Sequence, residues 1–204
     1  VYLPNKTVEL PNEDDASGIV FDTNLKTLLA IGTILFTAFA IVQSVTAYYV
    51  QDRFQYSLDE TAKTTALLLG TMALMAIISQ LTLVQRYKGS PLNLIKFSVP
   101  FFILSCIFII ISPNFLFLYF GMAFMGLGMG LASPGYTSAA SLNASKDNQG
   151  AAVGIAMVAP GIGFALGPFL SGFLYTYSMN LPFIFILPLF IVLIFLIKKL
   201  EKIN

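Results

Sequence analysis

Four stretches of the chain contain no Asp, Glu, Lys or Arg: Thr27 to Gln51, Thr64 to Gln85, Phe97 to Ser145 and Asn148 to Ile197, which run 25, 22, 49 and 50 residues. A helix needs about 20 apolar residues to cross the hydrocarbon core of a bilayer, so the first two stretches hold one crossing each and the last two hold two each. Within lipid the backbone must satisfy its own hydrogen bonds, which makes each crossing a helix. The expected fold is therefore all-α, a polytopic membrane protein with six transmembrane helices. Hydrophobic residues make up 57% of the 204 and charged residues 10%, with a mean hydropathy of +0.82. A soluble domain of this size would not tolerate such a surface.

Turn chemistry places the crossings at about residues 25–50, 58–87, 92–112, 115–141, 150–177 and 181–197. Ser57-Leu-Asp-Glu60 reads as a capping box that starts the second helix. Ser90-Pro91 opens the third, and Ser112-Pro113-Asn114 divides the 49-residue run, because proline suits the first turn of a new helix. Residues 143–149 form a polar break, and Ser178-Met-Asn180 precedes the last crossing. Residues 1–24 read as a polar linker and 198–204 as a tail.

Cations set the orientation. Lys6, Lys26, Arg86, Lys88, Lys96, Lys146, Lys198, Lys199 and Lys202 fall on one side, against Arg53 and Lys63 on the other. That asymmetry expects both termini in the cytoplasm. On this topology the acceptor patterns Asn5-Lys-Thr7 and Asn143-Ala-Ser145 face the cytoplasm and are chance matches.

Several chemistries are excluded. The sequence has no histidine and a single cysteine, Cys106, so imidazole catalysis, a thiolate metal cluster and an internal disulfide are all absent. No cofactor is expected. No basic cluster exceeds Lys198, Lys199 and Lys202, which sets nucleic acid aside as a partner. No acid or base at helical spacing within the spans suggests an intramembrane enzyme.

Eleven of the 15 glycines lie between Gly121 and Gly172, with Gly126-x3-Gly130, Gly150-x3-Gly154 and Gly163-x3-Gly167 at helical spacing. Small residues four apart let another helix approach closely, and static packing is the ordinary use of any one pair. Gly126-Leu-Gly-Met-Gly130 is not a phosphate loop, since no strand precedes it.

The run Gly161-Ile-Gly163-Phe-Ala-Leu-Gly167-Pro168-Phe-Leu-Ser-Gly172 resembles the Gly-x3-Gly-Pro-x2-Gly-Gly signature of drug/proton antiporters of the major facilitator superfamily, with Ser171 where the signature prefers glycine. The family builds twelve helices from two parallel six-helix repeats. The resemblance covers nearly everything from Leu25 onward and favours the carboxyl-terminal half. Met122 stands where the amino-terminal half would carry an arginine, Gln85-Arg86-Tyr87-Lys88-Gly89 looks like a degraded copy of a conserved loop, and residues 1–24 look like the end of the central loop. Tyr49-Val-Gln-Asp52-Arg53-Phe54 and Gly128-Met-Gly130-Leu-Ala-Ser-Pro134 are weaker echoes. An initial Val1 fits a fragment or processed product.

The resemblance implies a secondary transporter, with a small-molecule substrate, protons, the bilayer and an amino-terminal six-helix half as partners, in a bacterial inner membrane. It implies that the first and fourth crossings line the cavity while the second and fifth contact the other half. In the first crossing Phe36, Phe39, Gln43 and Thr46 recur at three and four residues, and Gln43 is the amide deep in that span. A buried amide is costly unless partnered, so Gln43 is the leading substrate contact, with Phe39, Thr46 and Phe124 beside it; an interhelical hydrogen bond is its plainer use. Met122, Met125 and Met129 form a stripe suited to varied apolar cargo. Gly163, Gly167, Pro168 and Gly172, with Gly126 and Gly130, are the expected hinge and helix-packing residues. No carboxylate lies at membrane depth; Asp52, Asp59 and Glu60 sit at the outer surface, so proton coupling is expected in the other half. A metabolite or sugar importer of the same superfamily and a non-transporting scaffold are the competing readings.

Overall fold

The computed structural model describes residues 23–142 and 149–203; the linker 1–22, most of the polar break, both glycosylation patterns and the last residue lie outside them. Its helices are α1 (Thr23–Phe54), α2 (Leu58–Ser79), α3 (Pro91–Ile111), α4 (Phe115–Leu142), α5 (Gln149–Ala156), α6 (Val158–Tyr175) and α7 (Leu181–Ile203). Among the described residues there is no strand. Six helices are long and apolar enough to cross a membrane, with α5 and α6 contributing to one of them.

Helix starts follow local chemistry. Ser57 and Glu60 form the reciprocal capping box at α2, Glu60 N–H donating to Ser57 Oγ at 3.3 Å and Ser57 N–H to Glu60 Oε2 at 3.0 Å. Pro91 occupies the first turn of α3, but Ser90 contributes no side-chain cap. At the other end of α3, Arg53 of α1 donates from Nε and Nη2 to Ser112 O at 3.2 and 3.0 Å, satisfying a carbonyl the helix leaves open.

Three elements depart from the expected spans. The second helix does not run unbroken to residue 87: it leaves α geometry after Ser79 for a π-helical turn, Gln80–Val84, in which Gln85 N–H donates to Gln80 O at 3.2 Å. The sixth helix does not stop at Ile197 but carries the expected tail onward to Ile203. The fifth crossing is interrupted at Met157. Pro160 has no N–H to give the carbonyl of Ala156 four residues earlier, so the ladder fails there. Tyr136 of α4, fully buried, fills the vacancy: its hydroxyl donates to Ala156 O at 2.8 Å.

Glycine holds the bundle together. Gly121, Gly128 and Gly135, seven apart and so on one face of α4, lie against α3. A Cβ added there would stand 2.7 Å from Ile109 Cγ1, 2.7 Å from Phe102 Cδ1 and 2.9 Å from Leu94 Cβ respectively. Gly126 and Gly130 turn to α2, against the backbone of Met72 and Ala76. Gly163 and Gly167 seat α6 on Phe36 and Ala40 of α1. Lipid gives apolar helices no hydrophobic reason to associate, so close backbone contact of this kind supplies the packing. Aromatic pairs fill the remainder, with Phe102 stacked on Phe190 of α7 at 5.1 Å and Tyr49 edge-on to Phe183 at 5.1 Å.

Candidate functional site

Four residues were expected to bind substrate, and the structure separates them. Phe39 and Gln43 sit one turn apart on α1. Phe39 is half-buried, its ring 6.2 Å from Phe164 of α6 at 86°, and Gln43 is exposed, its amide making no hydrogen bond among the described residues. Thr46 faces inward: it is buried, and its hydroxyl donates to Val42 O at 2.6 Å. Phe124 faces α3, its ring 5.4 Å from Phe108 and 6.4 Å from Phe101. The methionine stripe is core as well, since Met122, Met125 and Met129 are all buried. Phe36 is likewise buried, edge-on to Tyr136 at 6.0 Å. Phe36 and Phe39 do share a face, their rings 6.1 and 6.2 Å from that of Phe164, whereas the Thr46 hydroxyl is bound to its own helix and Phe124 lies against α3.

The packing residues fall into two groups. Gly126, Gly130, Gly163 and Gly167 are buried against neighbouring helices of this chain. Gly172 has open space around its α-carbon, as do Gly70, Gly154 and Gly161, and Pro168 is exposed. Ser79 is buried and joins α2 to α4 through its hydroxyl, which donates to Leu127 O at 3.1 Å, while Gln80 is exposed at the head of the π-turn.

Between α1 and α6 lies a groove of about 480 Å³ lined by Ser44, Val45, Tyr48, Pro168, Ser171, Gly172 and Tyr175, which Gln43 does not line. The serines offer it little polarity, because Ser44 Oγ donates to Ala40 O at 2.7 Å and Ser171 Oγ to Pro168 O at 3.1 Å. At one end the Tyr175 hydroxyl donates to Asp52 Oδ2 at 2.8 Å, and the Tyr48 ring stands 6.3 Å from that of Tyr175. Sequence reasoning passed over these tyrosines. The signal was present in an aromatic on α1 and one on α6 flanking an acidic residue, but only the pairing of the two helices brings them together. Among the described residues no group of three or more His, Cys, Asp or Glu is placed to hold a metal.

Six apolar helices, seamed by glycine and bordered by an open groove, define a polytopic α-helical membrane protein. The family model for the Major Facilitator Superfamily matches residues 28–202, and the chain belongs to that superfamily of membrane transporters. No curated protein matches the sequence.

Proposed function

We propose that this chain is the carboxyl-terminal half of a twelve-helix, proton-coupled exporter of small apolar or amphipathic compounds, working by alternating access in a bacterial inner membrane with both termini cytoplasmic. The observation that carries the reading is the glycine–proline run of α6, which has two faces. Gly163 and Gly167 lock it to α1, while Gly161, Pro168 and Gly172 point away from the bundle. A second six-helix half packed on that outer face accounts for small residues that nothing in this chain touches.

Burial supports the same arrangement. The most apolar stretch of the α1 span is 61% buried inside the chain and that of α4 is 56%, against 17% for α2 and 22% for the span containing α6. The under-packed helices are the two that the antiporter resemblance assigns to the contact between halves. Phe39 and Gln43 of α1 are the proposed substrate contacts of this half. Gly163 and Gly167 form the face on which α6 slides against α1, and Pro168, on the outer side, is where it bends. The proton-carrying carboxylate resides in the other half, since the charge-free stretches of this chain supply none at membrane depth.

Transport in inverted membrane vesicles tests direction and coupling together. Acidifying the vesicle interior should drive accumulation of a lipophilic dye, and a protonophore should abolish it. Accumulation indifferent to the proton gradient would sink the coupling, and loss of dye from the vesicles would favour import.

A further inference from the structure

Cations gather at one corner of the bundle, and two contacts hold them there. Lys96 Nζ of α3 donates to Glu201 Oε1 and Oε2 of α7 at 3.2 and 3.3 Å, which fixes the start of one helix beside the last turns of the other. The Tyr87 ring stands edge-on to that of Phe97 at 6.1 Å and 90°, which brings the loop before α3 to the same place. Arg86 and Lys88 flank that tyrosine, and Lys198 and Lys199 shortly precede that glutamate, all four of them exposed. Among the described residues of these three segments Glu201 is the one acid, so the corner is strongly positive. Ser90 adds to this, because its side chain leaves the first turn of α3 uncapped and the helix N-terminus electropositive. The opposite end of the bundle has no such excess, with Asp52, Asp59 and Glu60 set against Arg53 and Lys63.

Apolar rows lead into this corner. On α3, Phe97, Leu104, Ile107 and Ile111 are exposed at spacings of seven, three and four, a single helical face. On α7, Ile184, Ile191 and Phe195 repeat at seven and four, and Lys198 and Lys199 follow three and four residues further on. The exposure is large, 71% at Ile191 and 68% at Phe195. The two helices pack through the stacked rings of Phe102 and Phe190, and both rows end where Lys96 and Glu201 join. Acyl chains lie against such rows without desolvating any polar group, and an anionic headgroup meets its cations where the rows stop.

We propose that the corner between α3 and α7 binds an anionic phospholipid, its phosphate held by Arg86, Lys88, Lys198 and Lys199 and its acyl chains along the exposed rows of the two helices. Lys96 is shared between that phosphate and Glu201. Tyr87 stands at the headgroup boundary, where amphipathic rings collect. The site goes beyond the export reading and does not depend on it, since it uses neither the groove between α1 and α6 nor the faces given to the other half. Charge selects the occupant. A zwitterionic lipid offers the same chains without net charge, and a second copy of this chain would set like charges against each other.

Native mass spectrometry of the full-length transporter in detergent, titrated with phosphatidylglycerol or phosphatidylcholine of matched chains, tests the site. Phosphatidylglycerol should be retained more tightly, and rising salt should shrink the difference. Neutralising Lys198→Gln and Lys199→Gln should weaken phosphatidylglycerol about fivefold for each charge removed, while Lys198→Arg with Lys199→Arg retains it. Glu201→Gln releases Lys96 and should tighten phosphatidylglycerol, a gain that a purely structural ion pair would not produce. Lys63→Gln, at the other end of the bundle, should leave binding unchanged. Equal retention of the two lipids by the wild-type protein overturns the proposal, as does undiminished phosphatidylglycerol binding in a variant with Arg86, Lys88, Lys198 and Lys199 all changed to Gln. A dimer that forms in place of lipid binding would give the corner to a second copy and overturn it as well.

Discussion

Tyr136 does at one residue what a helix ladder does along its length. Buried in α4, it stands over Gly32 of α1, where any side chain would collide with its ring, and gives its hydroxyl to the carbonyl that Pro160 deprives of a donor. Tyr136→Phe keeps the ring and orphans Ala156 O, at a cost of about 1 kcal/mol. Thermal unfolding of the purified transporter should show that loss. In a Pro160→Ala background it should vanish, because Ala at 160 supplies its own N–H to the same carbonyl; equal losses in both backgrounds would remove the account. Gly167 is stricter. A Cβ there meets Ala40, with Ile41 N 3.1 Å away, so Gly167→Leu cannot be accommodated without separating α6 from α1. Transport should be lost at normal expression, and unchanged transport would show that the seam is not used.

Helices were legible from the sequence because charge-free length and turn residues act locally, whereas their neighbours were not. The capping box at Ser57 and Glu60 and the proline opening α3 are decided within a few residues of chain, and the structure contains both. The break at Met157 was missed although Pro160, the eleventh residue of the expected 150–177 span, stands where a missing N–H opens the ladder. The π-turn after Ser79 had no local signature; it lies beside the Ser79–Leu127 bond. Which face of α4 a phenylalanine or methionine occupies depends on the glycines opposite, and that is a property of pairs of helices. Gly126 and Gly70 test this distinction. A methyl at Gly126 meets the Met72 backbone, whereas one at Gly70 meets nothing within 4 Å. Gly126→Ala should destabilise the protein by about 1–3 kcal/mol through overpacking. Gly70→Leu should leave the fold of this half unchanged and impair transport through the contact with the other half. Loss of folding in Gly70→Leu, or full activity, would refute that contact.

At the scale of the whole molecule, the chain concentrates burial in α1 and α4 and leaves α2 and α6 with small, open faces, while its substrate-facing chemistry is sparse. A transporter divided into two halves needs little more from one of them, because the midplane site is completed across their interface. The sequence marks Gln43 as the amide of α1 and expects it buried, whereas the structure leaves it exposed, and the residues proposed to enclose it are those of the other half. Gln43 can be tested against that reading, and within this chain the native Cys106 adds little background because it is fully buried. Gln43→Cys in the full-length protein should react with a thiol reagent, and saturating substrate should slow that reaction several-fold, while a control cysteine at the lipid-exposed Phe195 should react at the same rate with and without substrate. Protection confined to position 43 assigns α1 to the translocation path. Equal rates at position 43 in both conditions would make Gln43 an ordinary interhelical contact, and the substrate path would then have to run along another face of the bundle.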